Sequence, residues 1–244
     1  MRLLNKICHI LVLVSFGNLA GFAHAQNLDT SVQGVGITFM KPPSGSGLER
    51  LKMKSQVLNM IKDSEWRRLL ERANFAVFPS EDKENSYTVE LEARAVNLPD
   101  SIATKLTQAG LPQLVDYVKL HADITLSETW DVTAVENGLV HVTGLFIRNL
   151  TLNWAEVNLA MLGAVNLGET GLVSGKIDAT VSPWESAMQL ANLADGVQIQ
   201  ALDTLLNVMS EGENVTFSFT IVEGKVKIGP VAIATIPAFY ATQE

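Results

Sequence analysis

Tyr87-Thr88-Val89-Glu90-Leu91-Glu92-Ala93-Arg94-Ala95 alternates without a break. Tyr87, Val89, Leu91, Ala93 and Ala95 fall in one phase, and Thr88, Glu90, Glu92 and Arg94 in the other. Successive strand side chains point to opposite faces, so this run predicts a strand with one buried and one wet face. Val118, Leu120, Ala122, Ile124 and Leu126 repeat the pattern against Lys119, His121, Asp123 and Thr125. Val215, Phe217, Phe219 and Ile221 repeat it again. One-sided strands of this kind belong to antiparallel sheets.

Working outward, Leu139 to Ile147, Leu150 to Trp154, Val157 to Leu167 and Val173 to Val181 also read as strands, as does short Phe75 to Phe78, closed by Pro79. Glu223-Gly224 turns the chain into Lys225 to Gly229, and Pro230 to Pro237 reads as a loosely extended end. Leu28 to Phe39 and Leu48 to Ile61 are read as strands. Thr129 to Glu136 fits either a strand turning at Asn137-Gly138 or a helix stopped by Gly138.

Helical spacing appears in four places. Trp66, Leu69, Leu70 and Ala73 share one face of a helix over 63–73. Pro99-Asp100 opens a short helix that Gly110-Leu111-Pro112 stops. Ser182-Pro183-Trp184-Glu185 has the form of a capping box, with Ser182 as the cap of a helix running to about Asp195. Leu202, Leu205, Leu206 and Met209 mark a helix from Ile199 to Met209. The pattern is α+β: a mostly antiparallel, curved β-sheet with several short helices packed on it. Strand–helix alternation of the kind that builds a doubly wound sheet is missing.

The N-terminus carries a different signal. Arg2 and Lys6 precede the apolar Ile10-Leu11-Val12-Leu13-Val14-Ser15-Phe16, and Ala23-His24-Ala25 forms a small-x-small site. This is the pattern of a secretory signal peptide over residues 1–25, cleaved between Ala25 and Gln26. Its apolar core is too short to span a bilayer, which takes about 20 residues. The expected mature protein is one domain over residues 26–244, exported to the periplasm and without a transmembrane segment. Cys8, the chain's single cysteine, precedes the apolar core and leaves with the leader. Thiol catalysis, cysteine zinc sites and disulfides leave with it.

Without Arg2 and Lys6, the 18 basic residues become 16 against 26 acidic ones, a formal charge of −10. Such a chain is repelled by phosphate, so nucleic acid is not an expected partner. The tight basic cluster Arg67-Arg68 with Arg72 reads as a solvated helix face.

No motif supplies chemistry. Gly34-Val35-Gly36 lacks the third glycine of a dinucleotide fingerprint, no phosphate loop is present, and Gly171-Leu172-Val173-Ser174-Gly175 misplaces the serine of a nucleophile elbow. His121 and His141 fall on polar strand phases; Asp123 shares a face with His121, so that pair is the one acid–base candidate. Asp178 with Glu185 is a weaker carboxylate pairing, because Glu185 already has a capping role. Asn149-Leu150-Thr151 and Asn214-Val215-Thr216 match a glycosylation pattern within strands and carry no weight. No catalytic, cofactor-binding or metal-binding residue is assigned.

An ordered set of pieces remains. Leu98-Pro99 precedes a short helix ending at Gly110-Leu111-Pro112; Leu150-Thr151-Leu152-Asn153-Trp154 is followed by Leu159 and Gly163. Gly171 and Gly175 flank the next strand, Trp184 opens a helix, and Glu223-Gly224-Lys225-Val226-Lys227-Ile228-Gly229-Pro230 closes the set. From about Leu98 to Phe239 the chain resembles an uncharacterised family of exported bacterial proteins, domain of unknown function 2125. Asn153-Trp154-Ala155-Glu156 departs from that pattern in lacking glycine and proline after the tryptophan. The resemblance implies a periplasmic location, no known enzyme activity and no functional residues to carry over.

Three functions follow in order. The first is a non-catalytic envelope protein binding an apolar ligand or lipid in a curved sheet. The second is a scaffold that contacts another envelope protein through a sheet edge or acidic face. The third is a hydrolase with an unrecognised site.

Overall fold

The computed structural model describes residues 67–68, 72–80, 83–98, 103–104, 106–107, 112–131, 140–191, 199–210 and 212–239. Nine strands lie in it: β1 (Asn74–Pro79), β2 (Ser86–Asn97), β3 (Leu114–Leu126), β4 (Val142–Trp154), β5 (Val157–Leu167), β6 (Val173–Ser182), β7 (Val215–Val222), β8 (Lys225–Ile228) and β9 (Val231–Thr235). They form one sheet in chain order, each strand antiparallel to the next. The meander is open, with β1 and β9 at its edges. Two helices, α1 (Trp184–Ala191) and α2 (Ile199–Met209), sit between β6 and β7 in the chain.

The two runs with the cleanest alternation pair directly. Tyr87 faces Ile124, Val89 faces Ala122, Leu91 faces Leu120 and Ala93 faces Val118. A register slip of one residue would turn both apolar rows to water, so the pattern pins the register. The alternation breaks at Ala95, which is exposed at a φ of 51°. Val96 takes the inward place expected of Ala95 and is buried.

The apolar phases of all nine strands join one buried cluster. Trp184 and Met188 of α1 and Leu202 and Leu206 of α2 belong to it. Helix α1 lies against β5 and β6, and α2 against β7 and β9. Leu205 of α2 is half-buried and Met209 is exposed, so the apolar stripe of α2 is narrower than its spacing predicts.

Gly163 on β5 and Gly175 on β6 have the same inward phase. A Cβ on Gly163 would lie 2.3 Å from the Lys176 carbonyl oxygen, and one on Gly175 2.2 Å from that of Ala164. Only glycine lets the two backbones approach so closely on the core face.

Several expectations change. Among the described residues the protein is mainly β, with two helices rather than the several of an α+β fold; helical backbone also occurs at 67–68, 72, 103–104 and 106–107. The expected strands Leu139–Ile147 and Leu150–Trp154 are one strand, β4, continued through a bulge at Arg148-Asn149. The loosely extended end contains β9, which pairs with β8.

Ser182 is not a helix cap. It ends β6 opposite Asn158. The first helical bond runs from the Ala187 N–H to the Pro183 carbonyl, and the Trp184 N–H donates to the Glu213 carbonyl at 3.1 Å. The signal-peptide segment, the strands read over Leu28–Phe39 and Leu48–Ile61, and most of Thr129–Glu136 lie outside the described residues.

Candidate functional site

The outer face of the sheet is polar, and β4 distorts it locally. His121 of β3 pairs with Asn149 and Ala122 with Ile147, leaving Arg148 as the extra residue. A bulge re-aims the side chain it carries. Arg148 is thereby set over Asp123, with Nε 2.8 Å and Nη2 2.6 Å from Oδ2. The other oxygen of Asp123 accepts the Thr88 hydroxyl at 2.8 Å. Asp123 is buried, so these donors offset the cost of removing a carboxylate from water. The Arg148 guanidinium also stands 5.5 Å from the ring centre of Phe146, which is exposed like Leu162 on the neighbouring strand.

This arrangement settles the histidine candidate. His121 is half-buried on β3 between Glu90 and Asn149. Asp123 shares its face, but both carboxylate oxygens serve Thr88 and Arg148. His141 lies just before β4, where its backbone N–H donates to the Ser127 hydroxyl and its carbonyl accepts the Ser127 N–H. Asp178 is not joined to Glu185. Its carboxylate accepts the Ser218 hydroxyl and pairs with Lys176 at 3.3 Å, while Glu185 lies in the first turn of α1. The Ser218 hydrogen bond and then Lys176 hold the Asp178 pKa below the ordinary carboxylate value of 3.8. Ala25 and Gln26 lie outside the described residues.

Among the described residues, the inner face has a polar irregularity at the start of β2. The chain leaves β3 and is fastened beside the β1–β2 turn: the Leu126 N–H donates to the Asn85 carbonyl, and the Thr129 hydroxyl to the Asn85 side chain at 2.8 Å. Trp130 is thus brought onto Tyr87. Their rings meet edge to face at 5.8 Å, and the Trp130 backbone N–H donates to the Tyr87 hydroxyl at 2.7 Å. The Trp130 indole nitrogen is buried and has no hydrogen-bond partner. Buried polar groups are satisfied in the great majority of cases, so this orphan calls for a reason. Alternation places Tyr87 but says nothing of Trp130, whose segment reads equally as strand or helix.

Among the described residues, no three His, Cys, Asp or Glu side chains are grouped to hold a metal ion, and no helix is long and apolar enough to cross a membrane. The molecule is therefore, by class, an open antiparallel meander with an apolar inner face and a wet outer one. The chain belongs to the DUF2125 family of uncharacterized proteins conserved in bacteria, whose family model matches residues 21–237. No curated protein and no solved structure matches it.

The pieces that carried the resemblance become packing and turns in three dimensions. The Trp154 indole donates to the Pro112 carbonyl at 2.9 Å, tying the end of β4 to the start of β3. Gly163 and Gly175 allow the close approach of β5 and β6. Glu223 and Gly224 both have positive φ, 47° and 80°, as a two-residue type I′ hairpin requires. The Gly224 N–H donates to Val173, Ile236 donates to Gly224, and Phe239 donates to Gly171. The stretch from Ile236 to Phe239 is thereby laid back over the β5–β6 turn.

Proposed function

We propose that this protein is an exported, periplasmic, non-catalytic envelope protein that binds an apolar ligand or lipid on the inner face of its sheet. One observation carries the reading. On the β2–β3 pair the inward-phase residues Leu91 and Val118 stay half-buried, although Val89, Ala93 and Leu120 around them are buried. Helices α1 and α2 lie on β5, β6, β7 and β9. Leu91 and Val118 thus pack at the partly exposed margin of the core cluster, as Leu159 and Phe219 do on β5 and β7. Apolar surface with a few placed polar groups is the usual composition of a small-molecule site.

The test is titration of the purified protein with diphenylhexatriene, an apolar dye that fluoresces when bound. Saturable, roughly stoichiometric binding supports the reading, and a signal that never saturates overturns it. Export is tested separately by intact mass, which should place the first residue of the exported protein at Gln26.

A second reading has its own observation. Phe146, 45% exposed, and Leu162, 54% exposed, stand on the outer face beside Arg148. Aromatic and arginine side chains are enriched where proteins dock, which favours a partner-binding scaffold.

A further inference from the structure

The partner-binding reading, on which this inference rests, leaves the partner open, and the register of the outer face narrows it. One row runs straight across that face: Asp123 on β3, Phe146 on β4, Ala164 on β5, Lys176 on β6, Thr220 on β7 and Lys227 on β8. In the next row Leu162 of β5 pairs with Asp178 of β6, and the bulge places Arg148-Asn149 of β4 on its other side. Towards this face β5 presents Asn158, Ala160, Leu162, Ala164 and Asn166, none of them charged and four of the five exposed to the same degree as Leu162 or in the same class. An uncharged strand thus lies between Phe146 and Arg148 on one side and Lys176 and Asp178 on the other.

Further out the charges differ in sign. Glu90 and Glu92 share the outward phase on β2, and Lys225 and Lys227 share it on β8; each pair is three strands from β5. Among the described residues, none of these four is engaged in an ion pair. Nearer the centre, Arg148 commits Nε and Nη2 to Asp123, which leaves Nη1. Asp178 commits Oδ1 to Ser218 and Lys176, which leaves Oδ2.

A two-fold axis along β5 makes this pattern complementary to itself. It lays β5 on its own copy and exchanges β4 with β6 and β2 with β8. Leu162 then meets the second copy's Leu162, Arg148 meets Asp178, and the Phe146 ring meets the Lys176 ammonium. The β2 glutamates come over the β8 lysines. Every contact occurs twice, as an isologous interface requires. An axis across the strands would instead set β2 on β2 and β8 on β8, opposing like charges. Ala160 and Ala164 keep the surface low on either side of Leu162, which suits sheets packed ~10 Å apart. An anionic membrane fits less well, because Glu90, Glu92 and Asp178 face the same way and the chain carries a formal charge of −8.

We infer that the outer face of the sheet docks a second copy of this chain, about a two-fold axis that runs along β5 through Leu162.

The experiment is sedimentation equilibrium of the intact protein over a concentration series, beside Leu162→Glu and Val208→Glu. The parent should dimerise reversibly. Leu162→Glu opposes two carboxylates on the axis and should weaken the dimer at least about tenfold. Val208→Glu changes an exposed apolar residue of α2 and should leave the dimer unchanged. Both positions are exposed, so far-UV circular dichroism should match the parent. A parent that stays monomeric throughout the series overturns the inference, as does a dimer that responds alike to the two changes. A second measurement separates the inference from the reading beneath it. Leu162→p-benzoylphenylalanine, irradiated in the cells that make the protein, should yield an adduct of twice the chain's mass. An adduct with a different protein overturns the second-copy inference and keeps the partner-binding reading. No adduct, or one with lipid, removes both.

Discussion

Arg148 grips Asp123 through two nitrogens on one oxygen, Nε at 2.8 Å and Nη2 at 2.6 Å from Oδ2. Thr88 holds the other oxygen, so a single buried carboxylate ties β2, β3 and β4 on the wet face of the sheet. The bulge at Arg148 is what brings the guanidinium there.

Arg148→Met should therefore destabilise the protein by about 1–2 kcal/mol. That is below the ~3–5 kcal/mol of a fully buried broken pair, because the Arg148 side chain is 41% exposed and its partner retains a donor. Urea unfolding checks the value. The double variant Asp123→Asn with Arg148→Met should cost less than the sum of the single changes. Additive costs would mean that the contact contributes no coupling.

Gly163 and Gly175 give a sharper prediction. Each faces a carbonyl oxygen that a Cβ would strike at 2.3 and 2.2 Å, and backbone cannot yield as a flexible side chain does. Gly163→Ala and Gly175→Ala should each cost about 3 kcal/mol or more, combining overpacking with backbone strain. Gly212 is the control. Its φ is +71° but nothing lies within 4 Å of an added Cβ. Gly212→Ala should cost only about 1–2 kcal/mol, the left-handed penalty alone. Equal costs at all three sites would show that conformation, not contact, decides.

The sheet was largely legible because its faces differ. One phase meets core and the other water, so period-two alternation found β2, β3 and β7 and their common inward face. What alternation cannot register is a change of phase. Ala95 kept the apolar rhythm in sequence, yet a left-handed residue handed the inward place to Val96. At Arg148-Asn149 the bulge looked like a gap between two strands, which hid both the continuity of β4 and the reason Arg148 reaches Asp123. Ser182 matched a capping pattern, but a cap is defined by which carbonyl accepts the first helical bond, and that is Pro183. Trp130 had no legible role, because an unsatisfied N–H is a property of its surroundings and not of its neighbours in sequence.

Asp178 should make stability depend on acid. Its folded pKa is depressed, first by the Ser218 hydrogen bond and then by Lys176. A depressed carboxylate contributes stability above its unfolded pKa and loses it as pH falls through the folded value. The contribution should be present at pH 5 and fade below the ordinary value of 3.8. Ser218→Ala removes the larger cause, so the variant should lose less stability than the parent between pH 5 and pH 2. Chemical-shift titration of the Asp178 carboxyl should show its midpoint moving up in the variant. Superimposable acid profiles would show that the Ser218 bond does not persist in solution.

Leu91 and Phe217 share the inward phase but not the same surroundings, and that difference separates a ligand surface from a packed core. Leu91 is half-buried on β2 and packs against the core cluster. Phe217 is buried on β7, the strand α2 packs on, and it meets Phe219 edge to face at 4.8 Å. Leu91→Trp adds bulk at a partly exposed position, so stability should change by less than about 1 kcal/mol while diphenylhexatriene binding falls at least tenfold. Phe217→Trp adds bulk where density is already near crystalline, so it should destabilise by about 1–3 kcal/mol and leave the affinity of the folded protein unchanged. The opposite outcome, with binding lost at Phe217 and kept at Leu91, would move the ligand beneath the helices and remove the observation on which the apolar-ligand reading stands.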